Sequence, residues 1–233
     1  MLSEPQTSGK SMMKTANRKR CVTFHFSVEG ETEAIYLEWL QGIINTANET
    51  SFSVRFDVKV CPPISYVKST TISQPTTICH LCDYESSGEE HRKRFMRLLD
   101  QMREAEKLGK QVRYILGYCN FSFELWILMH VTNAQKSLSD RSCYLKELNK
   151  AFHVNFSSMK EFKKKRNLKN IFSKLSLENV RLAIERSQVL MKQKNEDLAK
   201  PEIYKKFDFY KENPSLSVGK IFADIFNKLK LKL

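Results

Sequence analysis

The chain has 233 residues, 41% of them hydrophobic and 28% charged, with a formal net charge of +13. That length supports one sizeable core, and no apolar run approaches the ~18 residues that a membrane-spanning helix needs. The opening stretch MLSEPQTSGKSMMKTANRKR lacks the apolar segment of a secretory signal, so residues 1–20 are read as a flexible basic arm. The six cysteines fall mostly inside apolar runs and are expected to be reduced thiols in a cytoplasmic protein.

β-Branched and aromatic residues over 22–28 (VTFHFSV) predict a buried strand, and Ile35, Leu37, Leu40, Ile43 and Ile44 predict a helix over 31–46. FSVRFDVKV at 52–60 alternates apolar and polar residues, the pattern of a half-buried strand. A Pro/Ser/Thr-rich connection over 62–77 reads as irregular, and TICHLCD at 77–83 as a short buried strand ending on an aspartate. Residues 86–110 form an amphipathic helix, with Ser86 or Ser87 as N-cap and Gly109 near its end. VRYILGYC at 112–119 is a further strand, and SFELWILMH at 122–130 a buried helix. Strands alternating with helices predict an α/β domain with a mostly parallel sheet over 21–133. From residue 134 the segments 140–152, 159–173, 177–195 and 216–231 carry helical periodicity alone. They predict a helical region packed on the α/β domain, with no flexible linker between and no convincing strand within it.

The charge is uneven. Residues 160–169, KEFKKKRNLK, hold six Lys or Arg against one Glu, so Lys163, Lys164, Lys165, Arg166 and Lys169 are candidates to meet a nucleic-acid backbone. The alternative path is the basic helix 91–97, HRKRFMR; the plain alternative is a solvated lysine-rich face. Against this background VEGETE at 28–33 places Glu29, Glu31 and Glu33 directly behind the first strand. In open α/β sheets ligands collect beyond the carboxyl ends of the strands, where Glu29 would meet Asp83 and Glu85. Glu33 stands one turn further along the next helix and can face the same point. Carboxylates crowded together repel unless they hold a cation, and hard oxygen donors suit Mg2+ or Mn2+. Glu124 is an acid in an apolar segment, either salt-bridged for structure or part of this site; His130 reads as a core histidine or a catalytic one.

At this point the motifs resemble a known family. VEGETEAIYLEWL is similar to the Toprim signature, and CDYES stands where that family has its second acidic motif, usually Asp-x-Asp. CNFSFELWILMH (119–130) and NPSLSVGKIF (213–222) are similar to two further elements of the RloB-like branch, which is related to OLD and AbiL-type antiphage Toprim proteins. Glu85 replaces the usual Asp, and Phe121 the usual Pro. The resemblance implies a Toprim-like sheet and a Mg2+- or Mn2+-dependent nuclease of bacterial antiphage defence, cutting DNA or RNA, tRNA included. It implies Glu29 as acid/base and ligand, Asp83 and Glu85 as ligands, Glu33 as a further catalytic member, and Gly30, Asn120, Glu124 and His130 as support. It also implies an AAA or ABC-type ATPase partner, and a homodimer is an open expectation. A catalytically silent Toprim subunit that binds nucleic acid or regulates such an ATPase is the second reading. A topoisomerase- or primase-like strand-transfer protein is the third.

Cys79-His-Leu-Cys82 has the spacing of half a zinc site, but in a strand the two thiols point to opposite faces. No Walker A motif is present.

Overall fold

A computed structural model describes residues 19–85, 88–134, 141–196 and 200–233. The basic arm over 1–18, the N-cap candidates Ser86 and Ser87, and residues 135–140, where the helical region is expected to follow without a flexible linker, lie outside these residues.

Strand β1 (Arg20–Val28) leads into helix α1 (Glu31–Thr46), and β2 (Phe52–Val60) into α2 (Pro63–Ser69). Then come β3 (Thr76–Asp83), α3 (Glu89–Ala105), β4 (Val112–Asn120) and the short α4 (Glu124–Met129). The second half holds α5 (Arg141–Phe152), α6 (Met159–Phe162), α7 (Lys165–Phe172), α8 (Leu177–Glu196), β5 (Glu202–Tyr204), β6 (Phe207–Phe209), β7 (Ser215–Leu216) and α9 (Val218–Lys228).

Five strands form one sheet in the order β2-β1-β3-β4-β7, parallel throughout except for β7. The chain winds outward from β1 to β2, then crosses back over β1 to β3. The order therefore reverses between β1 and β3, and the crevice of a doubly wound sheet opens at the carboxyl ends of that pair. One sheet face, with Phe26, Val28, Cys79 and Leu81, packs on α1 and the C-terminal helices in a single core. The other, with Ile78, Cys82, Tyr114 and Leu116, packs on α2 and α3. Cys79 and Cys82 thus sit in separate cores, as strand alternation requires.

The expectation of a C-terminal region without strands is corrected. β5 and β6 pair as a small antiparallel ribbon, and β7 joins the main sheet beside β4. These runs of two or three residues are too short to show any periodicity. The residues NPSLS have a structural task here: Ser217 Oγ accepts from the Tyr118 N–H at 3.0 Å and donates to the Leu116 carbonyl at 2.8 Å. The Pro-rich connection also contains a helix, α2, with Pro63 at its first turn, where proline's missing N–H costs nothing. The segment 159–173 is two helices, because Lys164 is extended at ψ 132° between α6 and α7. Where α8 and α9 cross, a Cβ on Gly219 would lie 1.9 Å from Ser187 Oγ, so only glycine permits that approach.

Candidate functional site

Parallel pairing of Val28 with Leu81 sets the ends of β1 and β3 side by side. Glu29 follows directly, its N–H donating to the Leu81 carbonyl at 3.0 Å. Its Oε2 accepts from the Asp83 N–H at 3.1 Å, and its Oε1 from Arg94 of α3 at 2.5 Å. Asp83 Oδ1 accepts from the Phe123 N–H at 2.8 Å, which fixes the entry to α4. Glu85 pairs with His91. Glu29, Asp83 and Glu85, expected at one sheet edge, all line one cleft there. Glu31 is exposed.

Behind this edge lies a second acidic layer. Glu33 is buried in α1 and Glu124 fully buried in α4. Burial pushes the Glu33 carboxyl up to about 7; the charges of Glu124 and Glu29 add to the push, and its own backbone N–H and Lys163 oppose it. Lys163 Nζ stands 2.9 Å from Glu124 Oε1, and beyond this ion pair neither oxygen of Glu124 meets a hydrogen-bond donor among the described residues. Glu124 is therefore ion-paired, and its charge also raises the Glu33 pKa. A Cβ on Gly30 would come within 3.1 Å of Glu33 Oε2, a tight approach.

Other expected members lie elsewhere. His130 is a core residue: its Nδ1–H donates to the Trp126 carbonyl at 2.9 Å, and its Nε2 accepts from the Tyr36 hydroxyl at 3.0 Å. Burial holds its pKa down near 4. Asn120 ties the end of β4 to the C-terminal loop by donating to the Lys211 carbonyl at 2.8 Å. The peptide bond that follows, Asn120–Phe121, is cis. Lys164, Lys165, Arg166 and Lys169 are exposed, whereas Lys163 turns inward to Glu124. α7 buries Leu168, Ile171 and Phe172 and so directs its cations outward; Lys169 lies 3.2 Å from Glu38.

The cleft holds about 740 Å3. The acidic edge forms one rim and α3 the other, with His91, Arg94 and Arg97 on its near face. The sequence offers the cationic run of α3 as an alternative path only, since periodicity does not tell which face of α3 meets Glu29. His80, on the cleft wall, stands out in the sequence only within the Cys79–Cys82 spacing.

The carboxylates fit a hard cation in a limited way. Among the described residues no three His, Cys, Asp or Glu side chains stand close enough to hold a metal ion. Mg2+ needs fewer: one or two carboxylates, with water and substrate phosphates completing its shell. Glu29 and Asp83 both line the cleft at adjacent strand ends, joined by the Asp83 N–H on the Glu29 carboxylate. Among the described residues no helix is long and apolar enough to cross a membrane.

A family model described as RloB-like protein matches residues 26–224, from the end of β1 into α9. No curated protein and no solved structure matches the chain.

Proposed function

The chain belongs to the RloB-like protein family, and on that premise we propose that it is a metal-dependent Toprim nuclease that cleaves nucleic-acid phosphodiesters in bacterial antiphage defence. The observation that carries this reading is the placing of Glu29 and Asp83 at the reversal point of the sheet, in one cleft with Arg94, which reaches Glu29, and Arg97. Acidic and basic rims on one cleft suit a phosphodiester: the arginines hold phosphate oxygens, and the carboxylates hold a cation. Mg2+ or Mn2+ at Glu29 and Asp83 would supply Lewis-acid polarisation of the phosphoryl group and a water of lowered pKa. Glu33, poised near pH 7 by burial, is suited to accept and return a proton at the same edge. Glu85 and its partner His91 flank the entrance. The exposed cations of α7 extend the basic surface for the rest of the polymer. An AAA or ABC-type ATPase partner belongs to this reading as the sensing component.

The test is incubation of the full chain with plasmid, single-stranded DNA and bulk tRNA, each with Mg2+, Mn2+ or EDTA. Metal-dependent cutting that disappears in Glu29→Gln is the expected result. A second reading, a catalytically silent subunit, has one observation in its favour: Glu29 is already engaged by Arg94, and no three-ligand set exists among the described residues. Nucleic-acid binding without cutting in any metal would select it.

A further inference from the structure

The cleft runs deeper than the acidic edge requires. Its walls include Val60, Pro62, Phe95 and Leu98, and on its inner side it reaches His80 of β3. His80 is 2% exposed, and burial holds its pKa down near 3, so the ring is neutral. Its Nδ1 lies 2.7 Å from Ser27 Oγ, while its Nε2 is buried with no hydrogen-bond partner among the described residues. A buried ring nitrogen without a partner is a cost that folds ordinarily avoid.

The ring is held from one side only. Ser27 Oγ and His80 Nδ1 share a hydrogen bond, and Nε2 is the ring nitrogen left without a partner, on a cleft wall among apolar side chains. At the mouth, Arg97 has no acidic partner among the described residues, unlike Arg94.

We propose that the cleft is a nucleotide pocket, taking one unstacked nucleotide of a single strand, with Arg97 on its phosphate and His80 Nε2 hydrogen-bonded to the edge of its base. Apolar walls suit the faces of a base, and every standard base carries both donors and acceptors on its edge, so either tautomer of His80 finds a partner. A stacked, paired base cannot reach an inner wall, so the pocket selects single strands or an extruded nucleotide. The inference rests on the nuclease reading for its polymer, and names the strand form on which that site would act.

Isothermal titration of the full chain with nucleoside 5′-monophosphates tests it, in Mg2+, which a mononucleotide tolerates because it has no internucleotide bond to cut. The monophosphates should bind at least about tenfold more tightly than inorganic phosphate or the matching nucleosides, since only they engage both ends of the pocket. Arg97→Ala should lower monophosphate affinity by about tenfold and leave the nucleosides unchanged. His80→Phe risks the fold, so Leu98→Trp, which fills the half-exposed wall, is the blocking variant and should abolish binding at an unchanged melting temperature. A short single strand should compete with the mononucleotide, and its duplex should not. Equal affinity for monophosphate and phosphate, or full binding by Leu98→Trp, overturns the pocket. Polymer cutting that persists at the wild-type rate in Leu98→Trp overturns the pocket and leaves the nuclease reading standing. Mononucleotide binding abolished in Leu98→Trp, with no polymer cut in any metal, overturns the nuclease reading and leaves the pocket.

Discussion

The Lys163 ammonium lies 2.9 Å from Oε1 of Glu124, an acid with no exposed surface. Lys163 belongs to the most cationic stretch of the chain, and Glu124 to one of its most apolar. The pair pins the α6–α7 junction to the first turn of α4, behind the Glu29–Asp83 edge. It also sets Lys163 apart from the lysines beside it, which face solvent.

Lys163→Met should therefore destabilise the protein, because it leaves the buried Glu124 carboxylate without its counter-charge. Breaking a fully buried pair costs about 3–5 kcal/mol. With Lys163 itself 36% exposed, a decrease of about 2–3 kcal/mol is expected after allowing for solvent screening. Lys164→Met should stay within about 0.5 kcal/mol of wild type. Urea denaturation of the two variants measures the contrast, and equal midpoints would remove Lys163 from the site.

Glu33 gives the metal-free protein a particular pH dependence. The folded chain keeps the Glu33 proton up to about pH 7, whereas the unfolded chain releases it near the ordinary carboxyl value of 4.5. The folded state thus binds more protons within that window, and stability falls as pH rises through it. The decrease is on the order of 3 kcal/mol, complete above the folded pKa. Glu33→Gln should flatten the curve between about pH 5 and 8 and be the more stable protein at the alkaline end. Urea melts in EDTA across that range decide it; an unchanged slope in the variant would show that another group titrates.

The parts of this arrangement that are legible in the sequence are those with a period or a local signature. β1, β2, β3 and β4 announce themselves by branched, aromatic or alternating residues, and Glu29 and Asp83 by standing at strand ends. Pairings between distant segments leave no such trace: nothing in KEFKKKRNLK distinguishes Lys163 from Lys164, since the difference is the break at Lys164 that sets Lys163 at the junction. β7 is two residues long and exists because β4 offers it an edge and Ser217 clamps it there. His80 is similarly opaque, because its contact with Ser27 depends on the register of β3 against β1.

Arg94 competes with any cation for Glu29. Its guanidinium is 75% exposed and the Glu29 side chain 33%, so the pair contributes only about 0.2–1 kcal/mol. Arg94→Ala should accordingly raise Mn2+ affinity by up to about fivefold in the absence of nucleic acid. The same variant should bind nucleic acid less tightly, because one cation fewer faces the phosphates. Asp83→Asn should weaken Mn2+ binding instead. Calorimetric Mn2+ titration reads both, and an affinity unmoved by Arg94→Ala would place the cation away from Glu29.

The exposed cations of α7 are separable from the chemistry, provided Lys163 is left in place. α7 packs Leu168, Ile171 and Phe172 inward, with the Phe172 ring 5.6 Å from Trp39 of α1, so its outward face can be changed without touching the core. Replacing Lys164, Lys165, Arg166 and Lys169 by serine should weaken nucleic-acid binding irrespective of sequence. Every phosphate that is no longer neutralised takes about 0.7–0.9 off the slope of log affinity against log salt. Lys169 is partly neutralised by Glu38 at 3.2 Å, so a reduction of about 2–3 in slope is expected rather than the full value for four cations. The Mn2+ affinity of this variant should match wild type, because none of the four residues lines the acidic cleft. Arg94→Ala with Arg97→Ala should lower the slope by about 1.5 and also shift Mn2+ binding. Anisotropy measured between about 50 and 200 mM salt resolves these differences. If the α7 variant keeps its wild-type slope while the double arginine variant shows its own reduction, the polymer runs along α3 and the cations of α7 are only a solvated face.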